Sequence, residues 1–179
     1  SEMCIRDSHQ MMEIAPFDWS TINNGCGFDV IIGNPPYVNT EGMHALLPSA
    51  EVEIYKKKYK TSHKQFDKYF IFIEQAINKI NENGLVCYIV PNKFFKIGAG
   101  EKLRNLIAKE RMLVSLDDFG DAQLFEDKTI YSSIILLSKA KQTSFVYSSV
   151  DSANKLWAGE EVSSIELNSS ILNKLPWRL

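Results

Sequence analysis

Cysteine is scarce. Cys4, Cys26 and Cys87 are the only three in 179 residues. An odd, scattered set excludes a disulfide framework, and Cys87, inside the apolar run LVCYIV, reads as a small core residue. Histidine is equally thin: His9, His44 and His63 stand alone, none at ligand spacing with a cysteine or another histidine, so no metal site is expected. An excess of one charge is lacking too. Twenty Lys and Arg against 22 Asp and Glu leave a net charge of −2. That excludes a dedicated polybasic nucleic-acid binder, though not an enzyme that grips DNA through one local patch. No apolar run reaches the roughly 18 residues of a membrane span. The N-terminus lacks a signal-peptide pattern, and a cytoplasmic location is expected. What remains is an ordinary globular mix, 45% hydrophobic and 23% charged. A chain this long buries roughly 68–70% of its unfolded surface, which allows one domain and the start of another.

Residues 1–14 show no clean periodicity and are set aside as a lead-in. Phe28–Ile32 reads as a buried strand. Val38 to His63 is polar, with a helix expected around Ala50–Tyr59 and a long loop elsewhere. Phe66–Ile80 (FDKYFIFIEQAINKI) carries apolar residues at three- and four-residue steps and predicts a helix, stopped by Asn83-Gly84. Leu85–Val90 is a second buried strand, and Gly100–Lys109 a helix. Leu113–Phe119 and Ile130–Leu137 are further strands, joined by the loop 120–129. Strand, helix, strand, helix, strand is an α/β pattern with a mostly parallel sheet. The last two strands have no room for a crossover helix, so that pair is expected antiparallel, with the last strand beside the parallel three. From 141 to 179 the serine-rich, weakly periodic sequence reads as a linker leading to another unit.

The chemistry concentrates in FDVIIGNPPYV, Phe28–Val38. The strand stops on Gly33, and two prolines without N–H groups follow Asn34. By itself the motif makes a stiff surface turn. Yet in open parallel sheets ligands bind beyond the carboxyl ends of strands, and Asn34 to Tyr37 occupies that place. The residue types fit one problem, methyl transfer to an exocyclic amine or an amide, whose nitrogen lone pair is delocalised. Two acceptors at its N–H bonds localise that pair. Asn34 offers a side-chain oxygen, and Pro35 a carbonyl held by the rings on either side. Tyr37 offers a flat face for a base pulled from its stack. Base–aromatic stacking is worth about 1–3 kcal/mol, against a few kcal/mol spent on flipping.

FDVIIGNPPYV resembles the catalytic motif of the N6-adenine DNA methyltransferases. QFDKYFIFIEQAI, GLVCYIVPNKFF, GEKLRNLI, LDDFGDAQLF and IYSSIILLSK are similar to the strands and helices that follow it in the gamma-order enzymes. The large fused Type IIG restriction–modification enzymes are most alike, over roughly Pro16 to Lys139. The resemblance implies a partial Rossmann-like fold that uses S-adenosylmethionine on double-stranded DNA, with 15–140 the catalytic half of a methyltransferase domain and 141–179 leading into a target-recognition region. It implies catalytic roles for Asn34, Pro35, Pro36, which shapes the turn, and Tyr37, which stacks on a flipped adenine. It places Phe125 on the base's other face, or else tucked into the core as a loop aromatic. Asp67 matches a polar position near the site, but also suits the dipole of its own helix. Asp18 and Trp19 are weak candidates to approach the cofactor adenine.

One departure stands out. These enzymes bind S-adenosylmethionine through a glycine-rich loop after their first strand, upstream of the catalytic motif. Here Gly25-Cys26-Gly27 precedes a strand, and Gly98-Ala99-Gly100 lacks the third glycine and later acidic residue of a nucleotide site. The expectation is a segment missing the cofactor-binding, N-terminal half of its enzyme and inactive alone. The run YKKKYKTSHK, Tyr55–Lys64, is either a solvated face or a phosphate contact. Two alternatives remain open: a methyltransferase acting on a protein glutamine amide, whose family also carries Asn-Pro-Pro-Tyr, and a non-catalytic DNA-binding remnant.

Overall fold

The computed structural model describes residues 25–123, 131–152, 154, 158–160, 162–174, 176, 177 and 179; the side chains of 121–123 are outside this set. Strand β1, Phe28–Gly33, is followed by helices α1 (Thr40–Leu46), α2 (Ser49–Lys58) and α3 (Lys68–Lys79), then by β2 (Ile80–Pro91). Helix α4 (Glu101–Lys109) leads to β3 (Leu113–Gln123), β4 (Tyr131–Ser138), β5 (Ser144–Ser149) and β6 (Ser163–Asn168). The six strands make one sheet in the order β1-β2-β4-β3-β5-β6.

β1 pairs with β2 in parallel, and β3 with β5 in parallel. β4 is antiparallel to both β2 and β3. The antiparallel strand therefore lies inside the sheet instead of at its side. Its apolar run explains the place: Ile135 faces Tyr88 of β2 on one side and Leu116 of β3 on the other. All three are buried, as a strand paired on both edges requires.

Helices α3 and α4 pack on one face of this sheet. α3 is amphipathic and buries Tyr69, Phe70, Ile73 and Ile77, each worth about 1.5–3 kcal/mol in lost apolar exposure. α4 buries Leu103 and Ile107. Val86, Tyr88, Val90, Leu116, Ile135 and Leu137 supply the sheet side of the same core. On the opposite face Val30 and Ile32 of β1 stay 57% and 77% exposed.

The segments differ from expectation in three places. A first helix, α1, fills part of the expected loop, with Asn39 as its cap accepting from Gly42 N–H at 2.8 Å. α3 ends at Lys79, before Asn83-Gly84, which lie inside β2. Gly84 serves close packing there: a Cβ would stand 2.7 Å from the Phe28 carbonyl oxygen. The stretch expected as a linker from 141 contains β5 and β6 and so continues the sheet to Asn168. In β5, Phe145 and Tyr147 (buried and half-buried) flank exposed Val146, an alternation that the surrounding serines obscure in the sequence.

Candidate active site

Asn34 follows β1 directly at its carboxyl end and is exposed. Pro35 behind it is buried, Pro36 is exposed and Tyr37 is half-buried. The motif is thus anchored at Pro35 and Tyr37 while Asn34 faces outward. Tyr37 is held at both ends of its ring. Its hydroxyl donates to the Ile89 carbonyl at 2.8 Å, and the ring meets Tyr69 edge to face, centroids 6.1 Å apart at 83°. Tyr69 in turn donates to the Pro91 carbonyl at 3.3 Å. Burial pushes the Tyr37 phenol up to about 12, so at neutral pH it is a donor and a neutral surface, never a base.

The chain leaves the motif on a closed excursion, 38 to 68. Asn39 bridges Asp67, Lys68 N–H donates to the Val38 carbonyl at 2.8 Å, and Thr40 Oγ1 donates to the Phe66 carbonyl at 2.8 Å. α1 and α2 rise from that base beside the site. The lysine run returns through a buried post: Glu74 of α3 accepts the amides of Lys60 and Thr61 at 3.1 and 2.8 Å. Lys68 lies 5.7 Å from the Tyr55 ring centroid and Lys58 5.5 Å from that of Tyr59, so the interleaved tyrosines serve cation–π contacts.

Asp67 is the N-cap of α3 yet makes no cap hydrogen bond. It stands at the amino end of its own helix, where a carboxylate suits the dipole. The carboxylate is 4% exposed and contacts Lys93 Nζ at 3.0 and 3.2 Å. Lys93 had no signal in the sequence, because nothing there shows that the ends of β2 and α3 meet. The same holds for Asp118, midway along β3. It accepts from Asn92 Nδ2 at 2.8 Å and Gly120 N–H at 3.1 Å, with Tyr147 Oη at 3.4 Å. That network ties β2, β3 and β5 together along the rim that carries Asn34. Asp18, Trp19 and Phe125 lie outside the described residues.

Two of the described glycines serve close packing of the protein on itself. Gly27 has φ +83 and packs on the backbone of Lys79–Asn81, where a Cβ would come within 2.9 Å; it precedes β1, at the end away from Asn34. A Cβ on Gly100 would collide with the Phe94 carbonyl oxygen, so that space is filled by the protein itself. Among the described residues, no three His, Cys, Asp or Glu side chains gather as for a metal, and no helix is long and apolar enough to cross a membrane.

The mixed sheet has counterparts among solved structures, and the chain has relatives among known proteins. Residues 2–125 match the model of the Eco57I restriction-modification methylase family. The chain belongs to that family. The type II restriction enzyme and methyltransferase RM.Eco57I of Escherichia coli is 42% identical over 151 residues, 84% of this chain and 14% of that protein. The type II methyltransferase M.PaeR7I of Pseudomonas aeruginosa is 31% identical over 113 residues, 63% of this chain and 19% of its own length. The chain thus spans less than a fifth of either relative. The fold is that of S-adenosylmethionine-dependent methyltransferases. The type IIG restriction endonuclease BpuSI superposes with a TM-score of 0.62 at 13% identity, over 88% of this chain and 21% of that one. A type I restriction-modification methyltransferase subunit from Streptococcus thermophilus gives 0.58 at 15% identity, over 88% and 38%.

Proposed function

We propose that this chain is the catalytic half of a restriction–modification DNA methyltransferase. It holds the N6 amine of an adenine flipped from double-stranded DNA, to which S-adenosylmethionine supplies a methyl group. One observation carries the reading: exposed Asn34 at the carboxyl end of β1, on a turn pinned by buried Pro35 and locked Tyr37. In this assignment Asn34 Oδ1 and the Pro35 carbonyl each accept one N–H of the amine. Two acceptors draw the nitrogen towards tetrahedral geometry and return its lone pair. Because both sit on a stiff turn, they are in place before the amine arrives, which is where such electrostatic stabilisation is effective. Pro36 fixes the turn, and the exposed part of the Tyr37 ring supports the base. Phe125 is assigned to the base's other face, and Asp18 remains the candidate on the cofactor side. Membership of the Eco57I family supports DNA as the substrate over a protein glutamine amide. Residues 15–140 are assigned to the methyltransferase domain, whose sheet β5 and β6 extend. A separate N-terminal half is assigned the cofactor, and a target-recognition part the choice of site.

The test is methyl transfer by the full-length protein to duplex DNA, with the modified nucleoside identified after digestion. N6-methyladenine is expected. Methylated cytosine, or methylated protein glutamine without methylated DNA, contradicts the assignment.

A further inference from the structure

The 3-10 turn after β2, Asn92–Phe95, has two unlike sides. Inward, Phe94 and Phe95 are 0% and 4% exposed. Their rings meet at 4.7 Å, and Phe94 meets Trp177 at 5.9 Å. Trp177 N–H donates to the Phe95 carbonyl at 3.0 Å. Buried Arg104 donates to the carbonyls of Phe94 and Ile97. The turn is therefore fixed from beneath by two aromatic rings and a guanidinium. Outward, Lys93 and Lys96 are both exposed. They stand three residues apart, the spacing at which 3-10 side chains align.

Lys93 is also aimed. Asp67 gives up the capping bonds that an N-cap carboxylate ordinarily accepts and holds Lys93 Nζ instead. Lys93 still keeps 48% of its side chain exposed, and an ammonium has three donors. Lys96 makes no ion pair among the described residues. The turn follows the carboxyl end of β2, the hydrogen-bonded neighbour of β1, and so shares the rim with Asn34. We propose that Lys93 and Lys96 form a preorganised two-point clamp on phosphodiester groups of the DNA strand whose base is offered to Asn34.

The inference rests on the proposed function and refines it. An anchored turn loses little backbone freedom on binding, so only the lysine rotamers remain to be ordered. Such contacts fix the register of the strand without reading its sequence. Asp67 prevents Lys93 from ranging over the surface, which keeps the clamp at one distance from the catalytic turn.

The experiment measures duplex affinity of the full-length protein as a function of salt. Each phosphate contact contributes about 0.9 to the slope of log K against log salt. Lys93→Gln with Lys96→Gln is expected to flatten that slope by about 1.8 and to raise the KM for DNA. Lys93→Arg with Lys96→Arg should restore most of the slope, which a merely structural role does not require. Lys109→Gln, at the end of α4 and before the amino end of β3, serves as the control for lost charge and should leave the slope in place. Thermal melting identifies any variant that fails to fold. A folded double Gln variant with the wild-type slope overturns the clamp while leaving the methyltransferase reading intact. A wild-type protein that binds no duplex at low salt overturns both.

Discussion

At the residue scale the site depends on how firmly Tyr37 is seated. Its hydroxyl bond to Ile89 is worth about 1 kcal/mol net, and Tyr37→Phe is expected to cost that much stability while keeping the ring face. Tyr37→Ala should cost methyl transfer as well, by about 1–3 kcal/mol for a lost stacking surface. The pH dependence has a definite sign. Burial raises this phenol from 10.0 to about 12, so the neutral form is favoured by folding. Its contribution is complete below pH 10 and is lost as pH rises from 10 through about 12. Melting curves of wild type and Tyr37→Phe should therefore converge over that window. A stability gap that stays constant to the top of it would contradict the seat described here.

At the element scale the excursion between β1 and α3 is held by few groups. Glu74 is buried and accepts two backbone amides. Glu74→Ala leaves both without this partner, at about 1–3 kcal/mol for the buried Thr61 donor and less for the part-buried Lys60 amide. The melting temperature should fall, and hydrogen exchange at Lys60 and Thr61 should rise before that of α3. Unchanged exchange there would show that the lysine run is held by something else. Glu74 also illustrates what the sequence conceals. The strand ending on Asn-Pro-Pro-Tyr and the aromatic helix α3 were legible because periodicity and rigid residues act locally. The antiparallel pairing of β3 with β4 was legible from the short connection. That β4 enters the slot between β2 and β3 was not, because order within a sheet is a long-range choice. α1 escaped notice because its Asn39 cap opens only seven residues, too few for a periodic signal. Lys93 and Asp118 act through partners 26 to 29 residues away, a distance that no spacing rule covers.

At the scale of the whole molecule, the described helices α3 and α4 pack on one face of the sheet, while β1, at the sheet's edge, carries Val30 and Ile32 on the other at 57% and 77% exposure. An open apolar strand edge promotes association. The 179-residue chain alone is expected to elute above its monomer size, and Ile32→Lys to shift it towards the monomer; a monomeric wild-type chain would contradict this. The central claim, however, is that the rim of this sheet holds an amine for methylation, and Asn34 is its most exposed test. Single-turnover methylation of duplex DNA by the full-length protein should fall by about 100-fold or more in Asn34→Ala, the scale of removing one polar group aimed at a transition state. DNA affinity should stay within a few-fold, because the lost interaction acts in the chemical step. A variant that methylates adenine at the wild-type rate would contradict the account.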